Sequence, residues 1–213
     1  MTIRHHLSDQ LLLAYSAGQL PEAFNLVAAT HLSMCDDCRA ALGAFDAVGG
    51  VMVEAGGGVA VADASLDATL AKIALQKPVA QKAARGGGVF PAPLAAYVGG
   101  DLDAVKWRSL GMGVRQAILP TATDASVRLL HIPAGQAMPD HGHRGMELTL
   151  VLQGAFGDGT GRYNRGDLDI ETEKTQHTPV AEAGPPCICL SATDAPLRFT
   201  GFIPRILQPL FRI

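Results

Sequence analysis

The sequence predicts an α + β protein of two domains: a small helical bundle at the N-terminus, then an all-β antiparallel barrel or jelly roll. Three observations predict it. Apolar residues recur at helical spacing up to about residue 76. From about Leu94 the period drops to two, in short runs punctuated by Gly, Pro and Asp. Between them, Ala83-Ala84-Arg85-Gly86-Gly87-Gly88 reads as a flexible linker. The expected boundaries are 1–77, 78–93 and 94–213, with a separate core in each half.

Composition narrows the class. A chain that is 48% hydrophobic and 17% charged forms a core and is not disordered. It has no run of about 18 apolar residues, so no transmembrane helix is expected. It opens on the polar His5, His6, Ser8 and Asp9, where a signal peptide would carry an apolar core. Four cysteines, two of them in a metal-like motif, suit a reducing bacterial cytoplasm better than a disulfide scaffold. Residues 1–55 hold two basic groups, Arg4 and Arg39, against six acids, Asp9, Glu22, Asp36, Asp37, Asp46 and Glu54. That net of −4 is a poor match for a phosphate backbone and argues against nucleic-acid binding. A protein partner, with a basic face as the natural complement, fits better.

Taken in order, Ser8 caps a helix from about Asp9 to Ala17, which Gly18 stops. Pro21 suits a first helical position, and the next helix runs from Glu22 to about Leu32. Ser33, with Asp36 closing a capping box, opens a third helix reaching about Glu54. Gly56-Gly57-Gly58 breaks the pattern. Ser65 then caps a helix over about Leu66 to Gln76, with Leu66, Leu70, Ile73 and Ala74 on one stripe.

The junction of the second and third helices carries His31-Leu-Ser-Met-Cys35-Asp-Asp-Cys38. One unbroken helix would put the three metal-competent side chains on one face. A broken helix, with His31 ending one segment and the cysteines on the first turn of the next, is preferred, because a helix N-terminus favours thiolate. A closed structural zinc site needs four ligands. His5 or His6 is the candidate for the fourth, and spacing does not choose between them. A free CxxC beside an unrelated histidine is the plainer alternative, but HxxxCxxC with a spare upstream His is the stronger signal. Zinc would staple a module whose core alone is marginal.

The period-two region contains runs at Val114–Leu119, Val127–Ile132, Glu147–Gln153 and Ile188–Leu190. Trp107, Phe156, Phe199 and Phe202 are most simply packing residues. Alternation puts His141 and His143 on one strand face, and Glu147 matches it two pleats on. Two imidazoles and a carboxylate inside a barrel form an open divalent-metal site, with a fourth ligand expected from a later strand. His177, eleven residues after Gly166, is in place to supply it. Cys187 and Cys189 share a face and read as buried thiols.

The runs Gly135-x5-His141-Gly-His143-x3-Glu147-x6-Gly154 and Gly166-x10-His177 resemble the two cupin motifs. Thr172, Lys174 and Ala181 depart from the second motif. An HxxxCxxC helical module joined to a cupin resembles the zinc-binding anti-sigma factors of the ChrR type, over most of the chain. The resemblance implies that the helices bind a group IV (extracytoplasmic-function) sigma factor and keep it from core RNA polymerase. It implies release on an oxidative, singlet-oxygen-type signal in which the cupin half takes part. It also implies ligands His6, His31, Cys35 and Cys38 for a structural Zn2+, favouring His6 over His5. A second divalent metal, with zinc the expected ion, would take His141, His143, Glu147 and His177. No catalytic residue, nucleic acid or membrane is implied. The competing expectation is a cupin metal-dependent dioxygenase or isomerase with an appended zinc module.

Overall fold

A computed structural model describes residues 2–76 and 87–201. Most of the expected linker, and Phe202, lie outside the described residues. Ser8 accepts a hydrogen bond from the Leu11 amide and opens helix α1 (Asp9–Ser16). Gly18, at φ +65°, takes the left-handed turn that glycine tolerates, and Pro21 caps α2 (Glu22–Leu32). Eight of the eleven α2 residues are buried, including Ala23, Val27 and His31, so this helix is packed on nearly every side. Helix α3 (Asp36–Ala55) is capped by Cys35, which corrects the expected Ser33 cap. Ser33 still has helical backbone and its hydroxyl donates back to the Thr30 carbonyl, whereas Cys35 is extended, as an N-cap must be. Helix α4 (Ser65–Leu75) takes Ser65 inside its first turn, leaving Ala64 at the cap.

Helix also intrudes where alternation was expected from Leu94. Pro91 and Pro93 start α5 (Ala92–Val98), Gly99 at φ +83° ends it, and a 3-10 turn follows at Leu102–Ala104. Strands begin at β1 (Arg108–Gly111), followed by β2 (Val114–Leu119), β3 (Ser126–Ile132), β4 (His141–Gly142) and β5 (Glu147–Gln153). Then come β6 (Ala155–Gly157), β7 (Arg162–Asn164), β8 (Leu168–Glu171), β9 (Gln176–His177), β10 (Val180–Ala181), β11 (Cys187–Thr193) and β12 (Arg198–Phe199). They form a six-stranded sheet in the order β1-β2-β3-β11-β5-β8 and two three-stranded sheets, β10-β6-β7 and β12-β4-β9. All the strand pairings are antiparallel.

The two faces of the large sheet have different fates. Cys189, Ser191, Thr193, Thr149 and Glu147 point inward and line a cavity of about 530 Å3, closed on its other side by His141, His177, Phe156 and Phe199. Ile188, Leu190, Ala192, Leu148, Leu150 and Leu129 point outward, yet all are fully or almost fully buried. The cover is helical: α2 packs on β11, β5 and β3, and also on α5. Leu11, Phe24 and Val27 therefore belong to one apolar core with Leu129, Leu150 and Leu190. This corrects the expectation of two separate cores. Residues on strand β11 are buried throughout, because both of its faces are covered.

Candidate metal centres

The described residues gather metal-competent side chains in three groups. The α2–α3 junction puts His31 in the last turn of α2, Cys35 at the cap of α3 and Cys38 in its first turn, as the broken-helix reading expected. The N-terminal arm brings His6 to them: His6 Nδ1 lies 3.2 Å from Cys35 Sγ and 3.5 Å from Cys38 Sγ. His31 Nε2 lies 3.2 Å from Cys38 Sγ. His5 turns away and packs its ring against Tyr163 at 4.5 Å. The four donor atoms of His6, His31, Cys35 and Cys38 all lie within 4.8 Å of one another. Tetrahedral zinc with ordinary Zn–N and Zn–S lengths sets neighbouring donors about 3.5 Å apart, so these residues fit the metal.

The electrostatics agree. His31 Nδ1 donates to the Gly166 carbonyl at 3.0 Å, which leaves a lone pair on Nε2 facing the sulfurs. Burial pushes the His31 imidazolium down to about 4 and keeps the ring neutral. Burial and the neighbouring Cys35 push the Cys38 thiol up to about 11, so a thiolate there needs a cation beside it.

The second cluster lies at one end of the cavity. The β4–β9 pairing sets His141 directly across from His177. His141 Nδ1 donates to the Pro139 carbonyl at 2.8 Å, and His177 Nδ1 to the Asp158 carboxylate at 2.7 Å. Both Nε2 atoms therefore carry lone pairs, and these face each other across 3.3 Å. Two lone pairs at that distance repel unless a cation sits between them. His143, 2% exposed, completes a group of three imidazoles within 4.8 Å, and its Nε2 has no hydrogen-bond partner. Glu147 stands just outside this triad, with Oε2 3.3 Å from His143 Nδ1 and Oε1 accepting from Ser191 and Thr149. Burial opposes its ionisation, but the contact with His143, the neighbouring His141 imidazole and the Ser191 hydroxyl outweigh it and hold Glu147 at about 2.

A third feature escaped the sequence reading. Asp158, Asp169 and Glu171 surround the far side of His177. Burial and the Glu171 carboxylate push Asp169 up to about 8. In Leu168-Asp-Ile-Glu171 the alternation was visible, but an acidic face ordinarily points to water; here it points into the barrel. Cys187 and Cys189 are reduced, buried and 3.5 Å apart, as expected of plain core thiols. Among the described residues no helix is long and apolar enough to cross a membrane.

Comparison with known proteins follows the same division. Residues 96–195 match the family described as the ChrR cupin-like domain. The whole chain aligns with the anti-sigma-E factor ChrR of Cereibacter sphaeroides, with 60% identity over 100% of both chains. The fold superposes on ChrR as crystallised with the sigma factor SigE of Rhodobacter sphaeroides, at a TM-score of 0.80 and 58% identity, over 91% of this chain and 100% of that one. The neighbour along the full length is thus a regulatory protein and not an enzyme. With that identity, an HxxxCxxC helical module and a cupin barrel in one polypeptide, the chain belongs to the ChrR family of anti-sigma factors.

Proposed function

We propose that this protein is a cytoplasmic anti-sigma factor that sequesters a group IV sigma factor from core RNA polymerase and releases it on an oxidative, singlet-oxygen-type signal. The observation that carries the reading is full-length identity of 60% to a protein named an anti-sigma-E factor. The surface supports it. Val48, Val51 and Met52 on the second half of α3 are more than 60% exposed, and Leu66, Leu70 and Ile73 on α4 more than 50%. Each trio falls on one helical stripe, and such apolar stripes on an otherwise acidic module suit a protein partner.

In this reading residues 1–77 are the inhibitory part and 94–213 the sensing part, joined through 78–93. His6, His31, Cys35 and Cys38 hold a structural Zn2+; His141, His143, His177 and Glu147 hold a second divalent ion, also zinc. The donor sets favour the assignment, since mixed thiolate and imidazole suits zinc and a histidine-rich open site suits a first-row divalent ion. Co-expression with the group IV sigma factors of the source genome tests the whole. A stoichiometric complex with one of them, lost in Leu70→Asp/Ile73→Asp, is expected. Failure of folded, zinc-loaded protein to bind any of them would overturn it.

A further inference from the structure

The contact between the N-terminal arm and the barrel is concentrated on one turn, residues 164–168, at the head of β8. Asp167 is fully buried, and its Oδ1 accepts the backbone amides of Arg4 at 2.6 Å and His5 at 3.1 Å. Its Oδ2 accepts the Asn164 amide at 2.8 Å, which ties the turn to itself. The Leu168 amide donates to the His5 carbonyl at 3.2 Å. Two of these hydrogen bonds thus fix His5, the residue immediately before His6, and a third fixes Arg4. One position earlier in the turn, the Gly166 carbonyl accepts from His31 Nδ1. Gly166, at φ +90°, sits so close to the arm that an added Cβ would meet the Ile3 side chain at 2.7 Å. Two of the four clustered residues, His6 and His31, are therefore oriented by a turn of the other half of the chain.

We propose that Gly166 and Asp167 are positioning residues for the N-terminal metal, so that the cupin half completes the outer shell of the zinc centre in the helical half. The proposal rests on the assignment of His6, His31, Cys35 and Cys38 as ligands. The Gly166 carbonyl selects the His31 tautomer with a free Nε2 lone pair, and the Asp167 carboxylate anchors the arm that delivers His6. Outer-shell partners of this kind typically change metal affinity about 10–100-fold. The arrangement also gives the barrel a route to the inhibitory half. Strand β8 begins at this turn and ends at Glu171, whose carboxylate stands 3.5 Å from His177 Nδ1.

The test is a Co2+ titration of the full chain read by thiolate-to-cobalt charge transfer, which reports only a centre with cysteine ligands. Asp167→Ala should weaken cobalt binding at that centre about 10–100-fold, while the histidine-rich centre keeps its metal. Asp167→Asn, which keeps one acceptor oxygen for the Arg4 and His5 amides, should recover most of the loss. Arg4→Pro removes a single amide donor from the arm and leaves the turn intact, so it decides the matter if Asp167→Ala does not fold. Affinity within twofold of the parent in Arg4→Pro, or in a folded Asp167→Ala, would overturn the proposal. If the parent itself shows no charge-transfer band, the ligand assignment fails, and the outer-shell proposal with it.

Discussion

Replacing Leu190 by Ala should weaken both halves of the molecule at once. Leu190 lies at the centre of the outward sheet face, paired across β11 with Leu129 on β3 and Leu150 on β5. All three are 0% exposed, and α2 covers them. Truncating such a leucine removes about three carbons of buried surface and leaves a cavity, a loss of about 2–5 kcal/mol. With a urea dependence of about 2 kcal/mol per molar, the midpoint should fall by roughly 1–2.5 M. Two probes separate the halves: Trp107, the single tryptophan, reports the β half, and far-UV circular dichroism reports mainly α1–α4. Because Leu190 and α2 share one core, both signals should shift together. A fluorescence transition that moves while the helical signal stays in place would refute the shared core.

Three further outcomes follow from the same geometry. Cys38→Ser removes one of four clustered donors; if each supplies about a quarter of the ~10–16 kcal/mol typical of such sites, zinc affinity should drop by roughly two to three decades, measured by competition with a chelating dye. Removing metal from the wild-type protein with a strong chelator should lower the helical unfolding midpoint, and zinc should restore it, because binding energy at such a site is folding energy. His141→Ala with Glu147→Ala should leave sigma binding intact and abolish release under oxidative challenge, followed by sigma-dependent transcription; a normal response in a variant shown to lack the second metal would exclude that role.

The sequence made the local chemistry legible and left the long-range contacts hidden. The His31, Cys35 and Cys38 spacing implied a metal-ready helix junction, and the ring of His6 meets it as the resemblance implied. The strand runs at Val114–Leu119 and Glu147–Gln153 coincide with β2 and β5, and on β5 the alternation is enforced by one cavity face and one helix-covered face. The α5 helix was missed because its prolines read as linker, although proline at a first turn is a helix-starting signal. The shared core was missed for a different reason. Nothing local to Ala23 or Val27 says that a sheet more than 100 residues away will cover them. Asp167 looks in sequence like a turn residue; only the fold shows its carboxylate holding the N-terminal arm.

The most direct test of the account is multi-round transcription from a promoter of the cognate group IV sigma factor, with core RNA polymerase and increasing amounts of this protein. Zinc-loaded protein should abolish the transcript at about one equivalent per sigma factor. Cys38→Ser, prepared without added metal, should inhibit weakly or not at all, and a promoter served by the housekeeping sigma factor should be untouched. Undiminished transcription with an excess of the folded, zinc-loaded protein would contradict the account.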